Sequence, residues 1–583
     1  MVILGLDVAI WIVLVLYFAG VLFLGWWSKR DIRNQEGYLV GNRQFGSAMM
    51  VMHAFGAGTN PGDVAGVVSG TVVRGAAGIW ISWMWMFGTP FYWLIAPIVR
   101  RMRNLTLADF FQERFGKAAA ALYIVVAGAG MIVCLASVLL ATTRTAQGMM
   151  GKAEVQAAAA EISGSSVVGV PTEADADEVA PLTRRESEFW FFGILLVTTA
   201  VFIVYSYWGG IVAAIRTDMI QGLMIIGLSI IAIPAALNLP AVGGLDGMRE
   251  TLRSMSTSEQ NYLSLVDPKL GLWTVILLSI NAPLSALAFP HLIPVCGAGR
   301  TEWEGRVGFA YGNMLKRICT IGWSLLGLAW LAYLFSTGSA IHADAAFGDS
   351  IRTLLPPLLQ GVMLACVLAA AMSSGDAFQV TVAGLFSENI YRVYVRPNAD
   401  ESHMVFVTRV TGIVIVLLSL IVAILMRSSI VKTILDYFNI LSLVGISTAM
   451  GLLWRRMNTA GMFASTISAV AAFILTRYVW DMPRAVTVGV PIATAVLIGV
   501  IASLLTRAPR TETIERFFTK IYVPIGQEDR LNLPLDEAVP PSQRWLTWGG
   551  LFVVKPSRQS WLGFLVILAI CVACILTMLA LLR

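Results

Sequence analysis

The chain has 583 residues, of which 57% are hydrophobic and 13% are charged, and its mean hydropathy is +0.75. Soluble domains carry about 25% charged residues, so this composition excludes a soluble globular protein and indicates a multi-pass membrane protein. The net charge of +6 is small and lies mostly in loops, which indicates membrane topology rather than nucleic-acid binding. The six cysteines show no repeated CxxC pattern, so we predict neither a disulfide framework nor a zinc site.

Fourteen apolar segments are each close to the roughly 20 residues that cross a bilayer as a helix. They are 7–27, 46–74, 76–99, 118–147, 188–208, 211–238, 271–296, 307–337, 358–390, 403–427, 430–453, 458–479, 484–506 and 560–582. Basic residues follow the first, third, ninth, eleventh and thirteenth segments, and the positive-inside rule assigns that side to the cytoplasm. We therefore predict an external N-terminus, an acidic external loop at 148–187 and a cytoplasmic link at 507–559.

The stretch from His53 to Gly66 interrupts the second segment with the sequence HAFGAGTNPGDVAG. Pro61 lacks an amide proton, and each glycine near it costs a helix about 1 kcal/mol, so we predict a break over Phe55–Asp63. A break inside a membrane is tolerated only where it is buried or lines a cavity, and paired broken helices mark the binding site of a transporter. The alternative is a kinked helix whose glycines serve packing.

Segments two to six and seven to eleven form two sets of five, so the second set begins from the opposite face of the membrane. This is the requirement for an inverted-topology repeat, whose first helix should be broken in both halves. The seventh segment contains Asn281, Pro283, Pro290 and Pro294, which predict the second break. The predicted organisation is a leading helix and loop at 1–45, a first repeat at 46–238, an external loop at 239–270, a second repeat at 271–453 and C-terminal helices at 454–583.

Two groups of polar side chains lie within apolar segments. Ser373 and Ser374 are adjacent hydroxyls in the ninth segment, and hard cations prefer oxygen ligands, so the pair is a candidate sodium site opposite the first break. The alternative is that these serines only allow close helix packing. Asp218 lies in the sixth segment, where an ionisable residue is usually functional, although a local ion pair with Arg216 would also explain it.

Several motifs in this order resemble the sodium/solute symporters, a family that includes sodium/proline, sodium/sialic acid and sodium/galactose carriers. The motifs are GNRQFG, LTLADFFQERFG, WGGIVAAIRTDMIQG, FPHLIPVCGA, AAAMSSGDAF with SENIYR, and WRRMNTAG. The resemblance covers roughly residues 20–460. It implies an all-α fold with the five-plus-five inverted repeat first seen in a bacterial leucine transporter, one preceding helix and further following helices.

The resemblance also implies site residues. The family's sodium site maps onto the carbonyls of the first break and the hydroxyl-bearing helix, here Ala57, Asn60, Ala370, Ser373 and Ser374. Asp218 corresponds to a second cation site or an ion release path. Candidate solute contacts are Thr59 at the break, Asn281, which matches a polar contact of the sugar carriers, and Arg144, which aligns with an arginine that meets a substrate carboxylate in some members.

We predict a sodium-coupled symporter that imports a small polar organic solute by alternating access. It would work in the bacterial cytoplasmic membrane as a monomer, with Na⁺ as coupling ion and without cofactor, transition metal or nucleic acid. A proton-coupled carrier of the same fold is the alternative. A channel is disfavoured because the chain has no repeated filter sequence, and an enzyme or sensor because its four histidines lack metal spacing.

Overall fold

A computed structural model describes the chain except for residues 1, 4, 29–34, 154–166, 169–183, 259, 267–270, 340 and 548–549. The fold is a helical bundle whose helices are α1 (Val8–Ser28), α2 (Gln35–Val40), α3 (Ser47–Gly58), α4 (Pro61–Arg74), α5 (Trp80–Trp83), α6 (Thr89–Arg101), α7 (Leu107–Phe115), α8 (Lys117–Met149), α9 (Arg184–Leu237), α10 (Gly244–Met255), α11 (Leu272–Ala288), α12 (Leu292–Gly297), α13 (Glu302–Thr337), α14 (Ala346–Leu354), α15 (Pro357–Phe386), α16 (Glu401–Leu425), α17 (Ile430–Leu453), α18 (Thr459–Ile474), α19 (Arg484–Leu505), α20 (Thr511–Tyr522), α21 (Leu535–Ala538) and α22 (Arg558–Leu582).

The chain also forms short antiparallel strand pairs outside the helices. They are β1 (Val2–Ile3) with β2 (Leu6–Asp7), β3 (Val167–Val168) with β4 (Ile341–His342), and β5 (Arg544–Leu546) with β6 (Val553–Val554). Most of the predicted acidic loop at 148–187, and the basic loop at 29–34, lie outside the described residues.

Among the described residues, 11 helices are long and apolar enough to cross a membrane, and two shorter apolar helices lie at Val8–Val21 and Leu272–Ala288. The long helix α9 contains two of the 11, at 185–204 and 215–237. Its 54 residues would extend about 81 Å, far beyond the roughly 30 Å hydrocarbon core. The predicted fifth and sixth segments are therefore joined by helical backbone rather than by a loop.

The predicted third segment, 76–99, is not a single helix. A 3₁₀ turn over Gly75–Ile79 leads into α5, and a turn separates α5 from α6. Gly75 has φ of +65°, and a Cβ on Gly78 would lie 2.3 Å from the carbonyl carbon of Gly70, so the backbone crosses itself closely here. Pro90 is the second residue of α6, in the first turn, where its missing N–H costs little.

The bundle has a buried centre and an apolar rim. Helices α4, α8, α13, α15 and α17 are mostly buried, whereas α16, α19 and α22 expose most of their apolar surface. In a protein with this composition, the exposed apolar faces are the surface that contacts lipid. The central helices carry nearly all of the polar side chains that are described in the next subsection.

At one end of the bundle, α7 holds the end of α17. Thr106 caps α7 through the N–H of Asp109, whose carboxylate accepts the N–H of Thr106 in return. Arg114 at the other end of α7 donates hydrogen bonds to the carbonyls of Gly451 and Met457, at 3.3 and 3.0 Å. Burial lowers the pKa of Arg114 to about 9, because desolvation penalises the charged guanidinium.

Candidate ion and solute site

The first predicted break is present between α3 and α4. Helix α3 ends at Gly58, and Asn60 caps α4, with its side chain accepting the N–H of Asp63 at 3.2 Å. The Asp63 carboxylate accepts the N–H of Asn60 at 3.0 Å, and Pro61 is the first residue of α4. A helix that stops here leaves the last carbonyls of α3 without partners within their own helix.

The hydroxyl pair of α15 lies against the end of α3. Ser374 Oγ donates to the carbonyl of Gly56 at 3.2 Å, and Ser373 Oγ donates to Oδ1 of Asp218. Ala57 and Ala370 are buried nearby on the same two helices. The structure therefore brings together the break, the α15 hydroxyls and the α9 carboxylate, which are far apart in the sequence.

Asp218 has a partner that the sequence did not indicate. His53 Nδ1 lies 2.6 Å from Asp218 Oδ2, and both side chains are fully buried. The guanidinium of Arg216 instead lies over the ring of Trp27, 5.0 Å from its centroid. Asp218 is thus held by α3 and α15 rather than by its neighbour on α9.

The groups at this position that could bind a cation suit a sodium ion. They are carbonyl, hydroxyl and carboxylate oxygens, which are the ligands of hard cations. Gly56 leaves room between them, because a Cβ there would lie 3.1 Å from Asp218 Cβ and 3.2 Å from Ser373 Oγ. Within the described residues, no group of three His, Cys, Asp or Glu side chains could hold a metal ion.

A second break separates α11 from α12 at residues 289–291. It borders a central cavity of about 60 Å³. Asn60 lines this cavity together with the aromatic side chains of Trp85, Tyr92, Phe289, His291, Phe309, Phe378, Tyr437 and Phe438.

Two cations on α13 also line the cavity. Lys316 Nζ lies 2.8 Å from Asp63 Oδ2 and donates a hydrogen bond to the carbonyl of Gly58, so it joins α13 to both sides of the break. Arg317 donates to Ser82 Oγ at 3.2 Å. The sequence analysis missed both residues, although a Lys-Arg pair inside an apolar segment is itself a signal of function.

The three predicted solute contacts lie in different parts of the structure. Thr59 is buried at the break, and its hydroxyl has no hydrogen-bond partner within the described part of the chain. Asn281 donates to the side-chain oxygen of Asn439 at 3.1 Å, at the buried contact of α11 with α17. Arg144 does not line the central cavity; it bonds Gln147 and the carbonyl of Arg427.

A larger cavity of about 510 Å³ lies at the ends of α4, α11, α17 and α19. All of these ends fall on the side that the charge rule predicts to be external. Its basic lining residues are Arg74, Lys432, Arg477 and Arg484. Arg477 and Arg484 both bond the buried Asp436, at 3.2 and 2.9 Å, so their charges are partly neutralised.

Comparison with known proteins places this arrangement in a family. A family model described as "Sodium:solute symporter family" matches residues 38–155 and 191–469. The osmoregulated proline transporter OpuE of Bacillus subtilis is 24% identical over 88% of this chain and 98% of its own. The sodium/proline symporter of Salmonella typhimurium is 23% identical over 86% and 94%, respectively. The structure of a Na⁺-coupled sialic acid symporter in an outward-open state shares the fold, with a TM-score of 0.68, 16% identity and coverage of 86% and 99%.

Proposed function

The chain belongs to the sodium:solute symporter family, and we propose that it is a sodium-coupled symporter that imports a small organic solute by alternating access. Membership in this family makes the chain a multi-pass membrane transporter rather than an enzyme. The observation that carries the proposal is the meeting of the α3–α4 break with the hydroxyl pair of α15, through the bond from Ser374 to the Gly56 carbonyl.

The proposed sodium ligands are the carbonyls of Ala57, Asn60 and Ala370 and the hydroxyls of Ser373 and Ser374. Sodium is cargo here, and it would take the place of the bonds that these hydroxyls now make. Asp218 lies next to the pair and supplies a negative charge to the cation. Its bond to Ser373 supports a role at this ion site or at its exit, in line with the cation role expected from the sequence.

Alternating access requires two halves that can move against each other around a central site. Each break lies at the start of a set of helices. The first set is α3 to α9, and the second is α11 to α17. This arrangement supports a five-plus-five inverted repeat bounded by 46–238 and 271–453, with fourteen crossings and an external N-terminus. We place the protein in a bacterial cytoplasmic membrane, where it would work as a monomer.

The solute would bind in the central cavity between the breaks, where Asn60 and Lys316 are the polar groups nearest to the ion site. Lys316 contacts both the last turn of α3 and the first turn of α4, through Gly58 and Asp63. A solute that competes for Lys316 would therefore act on the same backbone segment that carries the sodium ligands. This shared segment is a physical route for coupling the two binding events.

Proton coupling is the alternative, and the His53–Asp218 contact favours it. A buried imidazole that pairs with a carboxylate can hold a proton at the position where the family binds a cation. Both cargoes would then use the same carboxylate.

Transport assays in reconstituted vesicles distinguish sodium coupling from proton coupling. The purified chain is tested for uptake of radiolabelled amino acids, sugars and carboxylates under an inward Na⁺ gradient or an inward proton gradient. Sodium-driven accumulation that disappears in the Ser373→Ala plus Ser374→Ala double variant supports the proposal. Accumulation driven by protons without sodium, and lost in His53→Gln, would replace it with the alternative.

A further inference from the structure

Arg317 is a buried cation without a counter-charge. It is 1% exposed, its only side-chain hydrogen bond goes to Ser82 Oγ, and its Nε has no partner among the described residues. Within that part of the chain it forms no ion pair. A guanidinium is always charged, and burying it unpaired is costly, so a group of opposite charge is expected to come to it.

The neighbouring ion pair does not supply that charge. Asp63 pairs with Lys316, which lines the cavity, and it also accepts the N–H of Asn60. Lys316 and Asp63 together are neutral, which leaves Arg317 as a net positive charge on the cavity wall. The same engagement of Asp63 leaves no free carboxylate there for the ammonium group of a solute.

Most of the remaining wall is aromatic or aliphatic, and its amide side chains are Asn60 and Asn313. Tyr92 stacks on Phe309 with ring centroids 4.3 Å apart, and Trp85 meets Phe438 edge-on at 4.6 Å. Such walls accept flat or apolar groups and offer few hydrogen bonds to a sugar.

The larger cavity at the predicted outer end is also mainly basic, with Arg74, Lys432, Arg477 and Arg484 against one lining carboxylate, Asp344. Arg74 and Lys432 line it and have no ion-pair partner within the described residues. A cleft lined by positive charge raises the local concentration of anions and speeds their entry. This observation is independent of Arg317 and leads to the same class of solute.

We propose that the solute is a small organic monoanion, a carboxylate on an apolar or aromatic body without an ammonium group, and that Arg317 binds its carboxylate. A planar guanidinium matches a carboxylate with two parallel hydrogen bonds, and its Nε is the free donor here. The inference rests on the proposed function, because it assigns the solute of the same site.

The test uses four probes that share one ring and differ in charge: phenylacetate, phenylacetamide, phenylalanine and phenethylamine. Their dissociation constants are measured from the thermal stability of the purified full chain at constant Na⁺. The variants are Arg317→Met, which removes the charge, and Arg317→Lys, which keeps it. Arg100→Met is the matched control, since Arg100 is a buried arginine of α6 that does not line the central cavity.

We expect phenylacetate to bind at least tenfold more tightly than the other three probes. Arg317→Met should abolish this preference, Arg317→Lys should retain part of it, and Arg100→Met should leave it intact. Equal binding of phenylacetamide or phenylalanine, a preference that survives in Arg317→Met, or no binding of phenylacetate would overturn the inference. If Arg317→Met does not fold, the wild-type series and Arg317→Lys still decide the matter. Binding of ²²Na⁺ without solute is measured in parallel. Loss of sodium binding would contradict the proposed function, and this measurement distinguishes it from loss of the preference for anions.

Discussion

Substitution of Gly56 by alanine places one methyl group inside the proposed ion site. The new Cβ would lie 3.1 Å from Asp218 Cβ, 3.2 Å from its Cγ and 3.2 Å from Ser373 Oγ. Ordinary van der Waals contacts of a Cβ begin near 3.4 Å, so each neighbour must move by a few tenths of an ångström. All three atoms belong to groups that we assign to the cation, and none belongs to the solute cavity.

The expected size of the effect follows from this crowding. Adding a methyl group to a well-packed interior typically costs about 1–3 kcal/mol. If that cost falls on the sodium-bound state, the apparent affinity for sodium drops by about fivefold to somewhat more than a hundredfold, since each 1.4 kcal/mol is a factor of ten. The apparent affinity for solute at saturating sodium should change much less.

The assay is the sodium dependence of solute uptake in proteoliposomes, measured for the wild type, Gly56→Ala and a matched control. Gly128→Ala is that control, because it makes the same change in a buried helix where a Cβ would meet nothing within 4 Å. The reasoning is refuted if Gly56→Ala keeps the wild-type sodium activation curve, or if Gly128→Ala shifts that curve equally.

Substitutions at three further contacts test each contact separately. Asp218→Asn should slow sodium-driven uptake more than it lowers the amount of folded protein, because it removes the charge beside the hydroxyl pair; unchanged initial rates would contradict this. Lys316→Met leaves Asp63 buried without its cation, at a cost of about 3–5 kcal/mol, so the melting temperature should fall. Adding Asp63→Asn should restore most of that loss, and a double variant no more stable than Lys316→Met would argue against the ion pair. Arg144→Ala should leave the apparent KM of every transported acid unchanged, whereas a tenfold rise would place that arginine on the solute path.

The sequence predicted the features that depend on local chemistry. The break before Pro61 lies within the predicted range, because proline and glycine disrupt a helix wherever they occur. Apolar length likewise identified most of the helices. The same signals were present at Gly75, Gly78 and Pro90 but were not used, and the predicted third segment is broken there.

Contacts between distant residues could not be predicted in the same way. His53 and Asp218 are 165 positions apart, and nothing in either neighbourhood indicates that they touch. Arg317 could have been singled out as an ionisable residue in an apolar segment, but its lack of a carboxylate partner is visible only once α13 is packed against α5. Arg144 was predicted as a solute contact from its alignment with an arginine of other members, and its bonds to Gln147 and to the carbonyl of Arg427 become visible only in the folded chain.

Sodium binding where the α3–α4 break meets Ser373 and Ser374 is the central feature of the proposed function. Equilibrium binding of ²²Na⁺ to the purified protein in the absence of solute tests this directly. We expect saturable binding to the wild type and to Gly128→Ala, and binding at least tenfold weaker in the Ser373→Ala plus Ser374→Ala double variant. Unchanged ²²Na⁺ binding in a folded double variant would contradict the proposed site.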